Sequence, residues 1–515
     1  MTDKTGFNKL TGGLFVIGAL VGLYFQFAYH KFLNNDTLSY INIAERYAEG
    51  DWQHAINGFW SPMYCWILCL CKLAGLPLLQ SCYVINFIVA GLGLYILCSL
   101  ARRYLTQPLF YLFFSLYALL LMLFYAMSSL TPDLMSAVFC VWFLLLVTDQ
   151  RFAFNKQIPI LAGIAAACAY FSKLYNFVPV NLFLAGLLLW AFFKNKSSRS
   201  KQIKPILRTY GVFILFAAIW TTILSVHENK LVITTAGQFN HNFVSPHYKR
   251  GYPTNVGLYA PPYEKAYSAH TDPGHMLDDY GWSPFSDTGS FLHQVSLIKN
   301  SIRELIFNLD ATGAKWLILF TAGLILFINR KKIMPTYDRS IYQIAWFFVC
   351  YPLLYLPLFI LDRYILTCII LFHLLLFVIA QLAWRFINRK IYVPVIALLL
   401  VVSVVPFVLS GQRKLIRSSS EYRYYKSFYQ HLPQLSFLKD QPIASDRWSM
   451  VQATQLCYHL KCRYYSTWAD DQYNSLKQYN IRYLVSQKDL TSFSFLQVKE
   501  KLLLEKEPLY IYEIQ

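Results

Sequence analysis

The chain has 515 residues, of which 56% are hydrophobic, 17% aromatic and only 14% charged, with a formal net charge of +19. That composition excludes an ordinary soluble enzyme and reads as a polytopic α-helical membrane protein. The positive charge is not a nucleic-acid surface, because the basic residues fall in short clusters between apolar runs: Arg102-Arg103, the stretch 194–204, Arg330-Lys331-Lys332, and Arg385 with Arg389-Lys390. Clusters of that kind mark cytoplasmic loops.

In chain order, apolar runs long enough to span a bilayer lie near 10–31, 80–101, 108–128, 131–149, 157–172, 175–193, 207–227, 312–330, 340–361, 363–385 and 391–410. The first lacks a clear cleavage site beside it and reads as a retained helix. A shorter run, 61–77, carries Tyr64 and Trp66 and ends in Lys, Gly and Pro. If it crossed the bilayer, the clusters at 102–103, 194–204, 330–332 and 385–390 would all lie outside. If it rests in the interface, every one lies inside with the N-terminus. The sequence therefore predicts about eleven transmembrane helices, N-terminus in and C-terminus out, with juxtamembrane helices in the first outer loop, 32–79. The same outer side then receives the turns at Thr131-Pro132-Asp133, Ser172-Lys173 and Leu361-Asp362-Arg363, the loop 228–311 and the C-terminal tail.

Residues 1–411 thus form a transmembrane domain. The loop 228–311 is rich in aromatics, Pro, Gly, His and Asn and reads as an ordered, irregular surface. Residues 412–515 read as a small soluble α/β domain with a mostly parallel sheet. Strands at 442–446, 463–466, 481–487 and 509–514 alternate with helices near 449–460, 470–479 and 492–504. No Gly-rich phosphate loop accompanies them, so no nucleotide is expected. Of the eleven cysteines, only Cys457 and Cys462 fall in this tail. A disulfide between them is compatible with an oxidising compartment, while no CxxC pair or zinc spacing occurs.

Four charged residues stand out near the outer membrane surface. Asp36, in NNDTLSY, heads a segment ending in Gly50, as an N-capped helix would, and a helix N-terminus keeps a carboxylate ionised. Leu38, Ile41, Ala44 and Ala48 form one apolar stripe, suited to a membrane-surface helix. Asp133 follows Pro132 in the first turn of a span, with Thr131 as a candidate cap. Lys173 sits in a tight turn and either snorkels to headgroups or binds an anion. Arg363 adjoins Asp362, but neighbours on a helix point apart and make a poor ion pair. No charge lies at a bilayer midplane, which speaks against an ion-coupled transporter.

These residues belong to an ordered set of motifs: Asp36-Thr-Leu-Ser-Tyr40, Gly58-Phe-Trp-Ser-Pro62-Met-Tyr64, Thr131-Pro132-Asp133, Phe171-Ser172-Lys173 and Arg363-Tyr364-Ile365-Leu366. The set resembles the GT-C superfamily of integral-membrane glycosyltransferases, in the style of protein O-mannosyltransferases and bacterial lipid A aminoarabinose transferases. Many relatives carry two adjacent acids where this chain has Asn35-Asp36. The resemblance implies an inverting transfer of a hexosyl or pentosyl group from a polyprenyl-phosphate donor to an acceptor hydroxyl on a glycan, lipid or protein. The expected setting is the periplasmic face of a bacterial inner membrane. Asp36 would be the base and Asp133 would orient the acceptor or hold a divalent metal ion. Lys173 and Arg363 would hold the leaving phosphate, with Tyr364, Tyr40 and Tyr64 lining the substrate site. A lipid-linked glycan polymerase or ligase, and a lipid-linked sugar transporter or flippase, are the alternatives.

Overall fold

The computed structural model describes residues 12–22, 24, 33–193, 196–248, 251–277, 282–310, 313–329, 340–384, a few positions between 386 and 405, 423–468, 473–504 and 507–515. The chain divides into two compact units. The first comprises Met1–Gln26, Tyr83–Thr222 and Asp287–Gln412; the second comprises Phe27–Cys82, Ile223–Ser286 and Arg413–Gln515.

The first unit is helical. Among the described residues, five helices are long and apolar enough to cross a membrane: Leu78–Tyr104, Pro108–Ser128, Leu174–Phe192, Lys201–His227 and Asp362–Trp384. A sixth arises if Thr288–Leu309 and Ala314–Ile328 count as one broken span. Other expected spans are apolar but short. Asp133–Val147 has 15 residues, about 22 Å at 1.5 Å per residue, against about 30 Å of hydrocarbon. The run expected at 340–361 is helical only over Ile341–Cys350, because Pro352 and Pro357 follow and withhold amide donors. The span expected at 391–410, and most of 23–32, fall largely outside the described residues. Helices Gln157–Ser172 and Lys196–His227 meet at Gly163, where a β-carbon would lie 2.7 Å from the Thr209 carbonyl oxygen, so only glycine allows the approach.

The second unit is built on a five-stranded sheet, β1 (Pro442–Ser445), β2 (Arg463–Thr467), β3 (Tyr483–Ser486), β4 (Leu496–Leu504) and β5 (Glu507–Ile514), in the order β2-β1-β3-β5-β4. β1 runs parallel to β2 and β3, while β5 pairs antiparallel with β3 and β4. The sheet is therefore mixed. The helix expected near 492–504 is strand β4. Its inner positions Leu496, Leu502 and Leu504 are buried while Val498, Lys499 and Lys501 face out, a pattern rewarded by pairing with β5 rather than by helical propensity. The Cys457–Cys462 disulfide does not form: both cysteines are free and fully buried, and the Cys462 thiol donates to the Leu438 carbonyl at 3.2 Å.

Helix α1 (Asn35–Ala48) belongs to this unit, and Leu38 and Tyr267 share one of its cores with Phe428, Leu456, Ile443 and Ile511. It packs against α2 (Pro62–Leu73), against the turn Ala269–Thr271 and against α3 (Met450–Leu460). Residues Thr37 to Tyr47 are all buried, so α1 is an internal helix and not the one-sided surface helix that its stripe suggests. The loop after residue 228 is ordered through aromatic packing of Phe239, Met276 and Leu277 with Phe59, Phe243 and Tyr252. Thr235 donates its amide to the Gly58 carbonyl at 2.9 Å, and a β-carbon on Gly58 would meet the Thr235 side chain at 2.8 Å.

Candidate active site

Each unit holds one group of the anticipated residues. In the first unit, Asp133 opens its helix at 7% exposure and gathers two cations. Lys173 Nζ is ion-paired with Oδ1, and Arg363 Nη1 lies 4.0 Å from Oδ2. The Thr131 hydroxyl donates to Oδ2 at 2.7 Å, so Thr131 serves the carboxylate and makes no helix cap. The turn carrying Lys173 is fixed by Asn176, whose amide donates to Ser136 Oγ at 2.8 Å and to the Ala169 carbonyl at 2.7 Å. That fully buried asparagine ties the turn to the helix that presents Asp133.

Aromatic rings support the cations. Lys173 Nζ lies 4.1 Å from the Tyr364 ring centre, and the Arg363 guanidinium 5.3 Å from the same ring. Tyr364 stacks on Tyr355, which stacks on Tyr175. The Asp362 carboxylate accepts the Arg363 backbone amide at 2.7 Å. One buried carboxylate thus faces an ammonium and a guanidinium in a partly desolvated place. The ammonium expected to hold an anion is paired with Asp133, and at 19% exposure Lys173 still reaches solvent.

Asp133 was also the residue expected to hold a divalent ion. Its oxygens face an ammonium, a guanidinium and a hydroxyl. Among the described residues no three His, Cys, Asp or Glu side chains gather as a metal site. A lone carboxylate already opposed by two cations does not fit a divalent ion, which takes several oxygen ligands.

In the second unit, the N-cap of α1 is Asn34, whose side chain accepts the Thr37 amide at 2.7 Å. Asp36 is therefore not the cap; it stands in the first turn, where the helix dipole favours an anion. Freed from capping, its carboxylate meets a histidine: His270 Nε2 lies 3.0 Å from Oδ1. His270 Nδ1 lies 3.0 Å from the Tyr252 hydroxyl. A neutral imidazole protonated at Nε2 satisfies both contacts, donating to Asp36 and accepting from Tyr252. The His270 carbonyl accepts from Ser39 Oγ at 2.8 Å and from the Trp60 indole at 3.0 Å, which locks the ring's backbone. Asp36 is 20% exposed and His270 9%, so the carboxylate reaches solvent over a buried partner.

Tyr40 and Tyr64 do not fit the substrate contact expected of them. Tyr64 is fully buried and Tyr40 is 5% exposed. Tyr40 packs edge-on against Trp60 at 5.1 Å and Tyr64 at 5.4 Å; the two tyrosines pack α1 against α2. His270 and Tyr252 were missed. They lie 234 and 216 positions beyond Asp36, and nothing in the local sequence SAHTDPGH ties that histidine to an N-terminal aspartate.

No protein-family model and no curated protein matches this sequence. Among solved structures, the chain is similar to ArnT from Cupriavidus metallidurans bound to undecaprenyl phosphate, at 15% identity and a TM-score of 0.54, over 97% of this chain and 98% of that one. It is also similar to the oligosaccharyltransferase of Archaeoglobus fulgidus in its apo form, at 10% identity and a TM-score of 0.50, over 93% of this chain and 69% of that one. At the level of fold, the chain is therefore similar to both of these proteins over nearly its whole length.

Proposed function

We propose that this protein is a membrane glycosyltransferase that moves a sugar from a polyprenyl-phosphate donor to an acceptor hydroxyl, inverting the anomeric centre in one displacement. The observation that carries this reading is the pairing of Lys173 and Arg363 with a single carboxylate, Asp133, over the face of Tyr364. A departing lipid phosphate needs positive charge more than a proton, because the charge develops on its oxygens. Lys173 and Arg363 supply that charge, Arg363 through a forked pair of N–H donors. Asp133 holds the two cations at a fixed separation.

Asp36 is the base. An acceptor hydroxyl is weakly acidic and must lose its proton as it attacks, so a carboxylate within reach accelerates transfer. His270 donates to Oδ1 of Asp36, and the carboxylate, 20% exposed, is reachable by an acceptor. In this reading the chain crosses the inner membrane of a bacterium about eleven times, and the outer loops and the C-terminal tail face the periplasm. The basic loops argue for that orientation.

The test is mass spectrometry of lipids that copurify with the wild-type protein and with Lys173→Met/Arg363→Met. The reading expects a polyprenyl phosphate, or its glycosylated form, on the wild type and at least tenfold less on the variant. Equal retention would remove the two cations from the donor site. The mass of the first product then separates transfer of one sugar from polymerisation.

A further inference from the structure

A second charged pocket lies within the second unit, with Asp36 and His270 not among its lining. It is a cavity of about 420 Å³ lined by Glu45 and Lys72, by the turn Gly75–Leu78, and by Tyr458, His459 and Lys461. Its floor is a buried carboxylate: Glu45 is 5% exposed. The Tyr267 hydroxyl donates to Glu45 Oε2. Lys461 Nζ lies 3.1 Å and Lys72 Nζ 3.7 Å from Oε1. Lys461 follows the last residue of α3 at φ 59, a left-handed conformation that non-glycine residues seldom adopt, and its ammonium lies 4.7 Å from the Tyr267 ring centre.

The charge count is two ammonium groups against one carboxylate, a surplus of one. Each ammonium carries three donors. Lys461 spends two, on Glu45 and Tyr267, and the ion pair at 3.7 Å is the contact of Lys72. The two side chains are 44% and 48% exposed, so donors face the cavity. On the rim, Leu76 is 51% exposed; outside the cavity, Leu70 and Leu73, beside Lys72 at the end of α2, are each 66% exposed. An ammonium standing among exposed leucines at the end of an amphipathic helix is the pattern of a membrane-surface contact. A pocket with one surplus positive charge and exposed leucines beside it matches a phosphodiester monoanion that carries acyl chains.

We infer that this pocket is a binding site for the headgroup of an anionic phospholipid, with Lys72 and Lys461 on the phosphodiester and Leu70, Leu73 and Leu76 against the acyl chains. The site goes beyond the transfer reaction and stands whether or not Asp36 is a base. It fixes α2 and α3 to the lipid surface through one bound molecule. Anionic phosphate oxygens are offered by a free phosphate ion as well, so the experiment separates the two sources.

The full-length protein in detergent is titrated with phosphatidylglycerol, phosphatidylcholine or inorganic phosphate, and bound adducts are counted by native mass spectrometry. Lys72→Gln/Lys461→Gln is compared with wild type. Lys72→Gln alone serves as the milder variant, since that side chain is half exposed and contacts only Glu45 in the pocket. The expected result is at least tenfold weaker phosphatidylglycerol retention in the double variant, a smaller loss in the single one, and unchanged phosphatidylcholine. Equal phosphatidylglycerol retention by all three proteins overturns the site. Inorganic phosphate displacing phosphatidylglycerol at equal concentration overturns the lipid assignment in favour of a soluble anion.

Discussion

Replacing Asp36 by Asn separates chemistry from structure at one atom. The amide has the shape of the carboxylate, and the helix cap is unaffected because Asn34 supplies it. Two stabilising terms are weakened. A negative charge in a first helical turn contributes about 0.3–1 kcal/mol. The hydrogen bond from His270 at 3.0 Å loses its charge assistance, about 1 kcal/mol. The sum, about 1–2 kcal/mol on a side chain that is one-fifth exposed, shifts the melting temperature by a few degrees at most. Removal of a general base costs about 10²–10⁴ in rate, or about 3–5 kcal/mol of barrier at 1.36 kcal/mol per decade. Turnover is measured as release of polyprenyl phosphate from the donor identified by copurification, beside a thermal-shift assay of the same preparation. The expected outcome is a nearly unchanged melting temperature with at least a hundredfold loss of turnover. Asp36→Asn protein that keeps a tenth or more of wild-type turnover would refute the assignment of the base.

Four further outcomes follow from the same geometry. His270→Gln keeps a donor toward Asp36 and retains more turnover than His270→Ala, with the loss in kcat rather than KM; equal loss would reduce His270 to packing. Arg363→Lys keeps the charge but not the fork, and retention of the polyprenyl phosphate falls by several-fold, less than with Arg363→Met. Cys457 and Cys462 stay unmodified by maleimide in native protein and react after denaturation, because both are fully buried and burial pushes the Cys462 thiol up to about 12; a disulfide in the intact mass would contradict this. A cysteine in place of Thr106, in a cysteine-free background, is labelled only from the cytoplasmic side, and labelling from outside would invert the proposed topology.

The parts of the site that the sequence displayed are those set by local rules. Asp133 after Pro132, Lys173 at a turn and Arg363 before a span are each visible as a charge at the edge of an apolar run, and three of these edges converge. Roles that depend on distant partners were not visible. Asn34 and Asp36 are both capping residues two positions apart, and only the backbone decides which one caps; Asn34 does. The stripe Leu38, Ile41, Ala44 suggested a surface helix, yet chain more than two hundred residues away covers α1 on its polar side. Asn42 Nδ2 donates to the Lys265 carbonyl at 3.1 Å and Ser39 to the His270 carbonyl at 2.8 Å. A helix whose polar face is satisfied by backbone carbonyls reads as amphipathic in sequence and is buried in the fold. β4 misled for the opposite reason: Lys499 to Glu505 favours helix locally, and its partner β5 is what draws it into a sheet.

Asn35 shows how a departure from a family pattern becomes a packing fact. Its side-chain oxygen accepts the Thr454 hydroxyl at 2.7 Å, and the same hydroxyl also faces the Met450 carbonyl at 2.8 Å. Residue 35 is thus spent on holding α3 against the start of α1, beside the contact from Gln455 to the Leu33 carbonyl at 3.2 Å. A carboxylate at that position would accept the same bond, but it would place a second negative charge one residue from Asp36, and two close carboxylates resist joint ionisation. With Asn35 neutral, Asp36 keeps the helix dipole and the His270 donor to itself, so the single acid that remains is the one whose ionised form those groups favour.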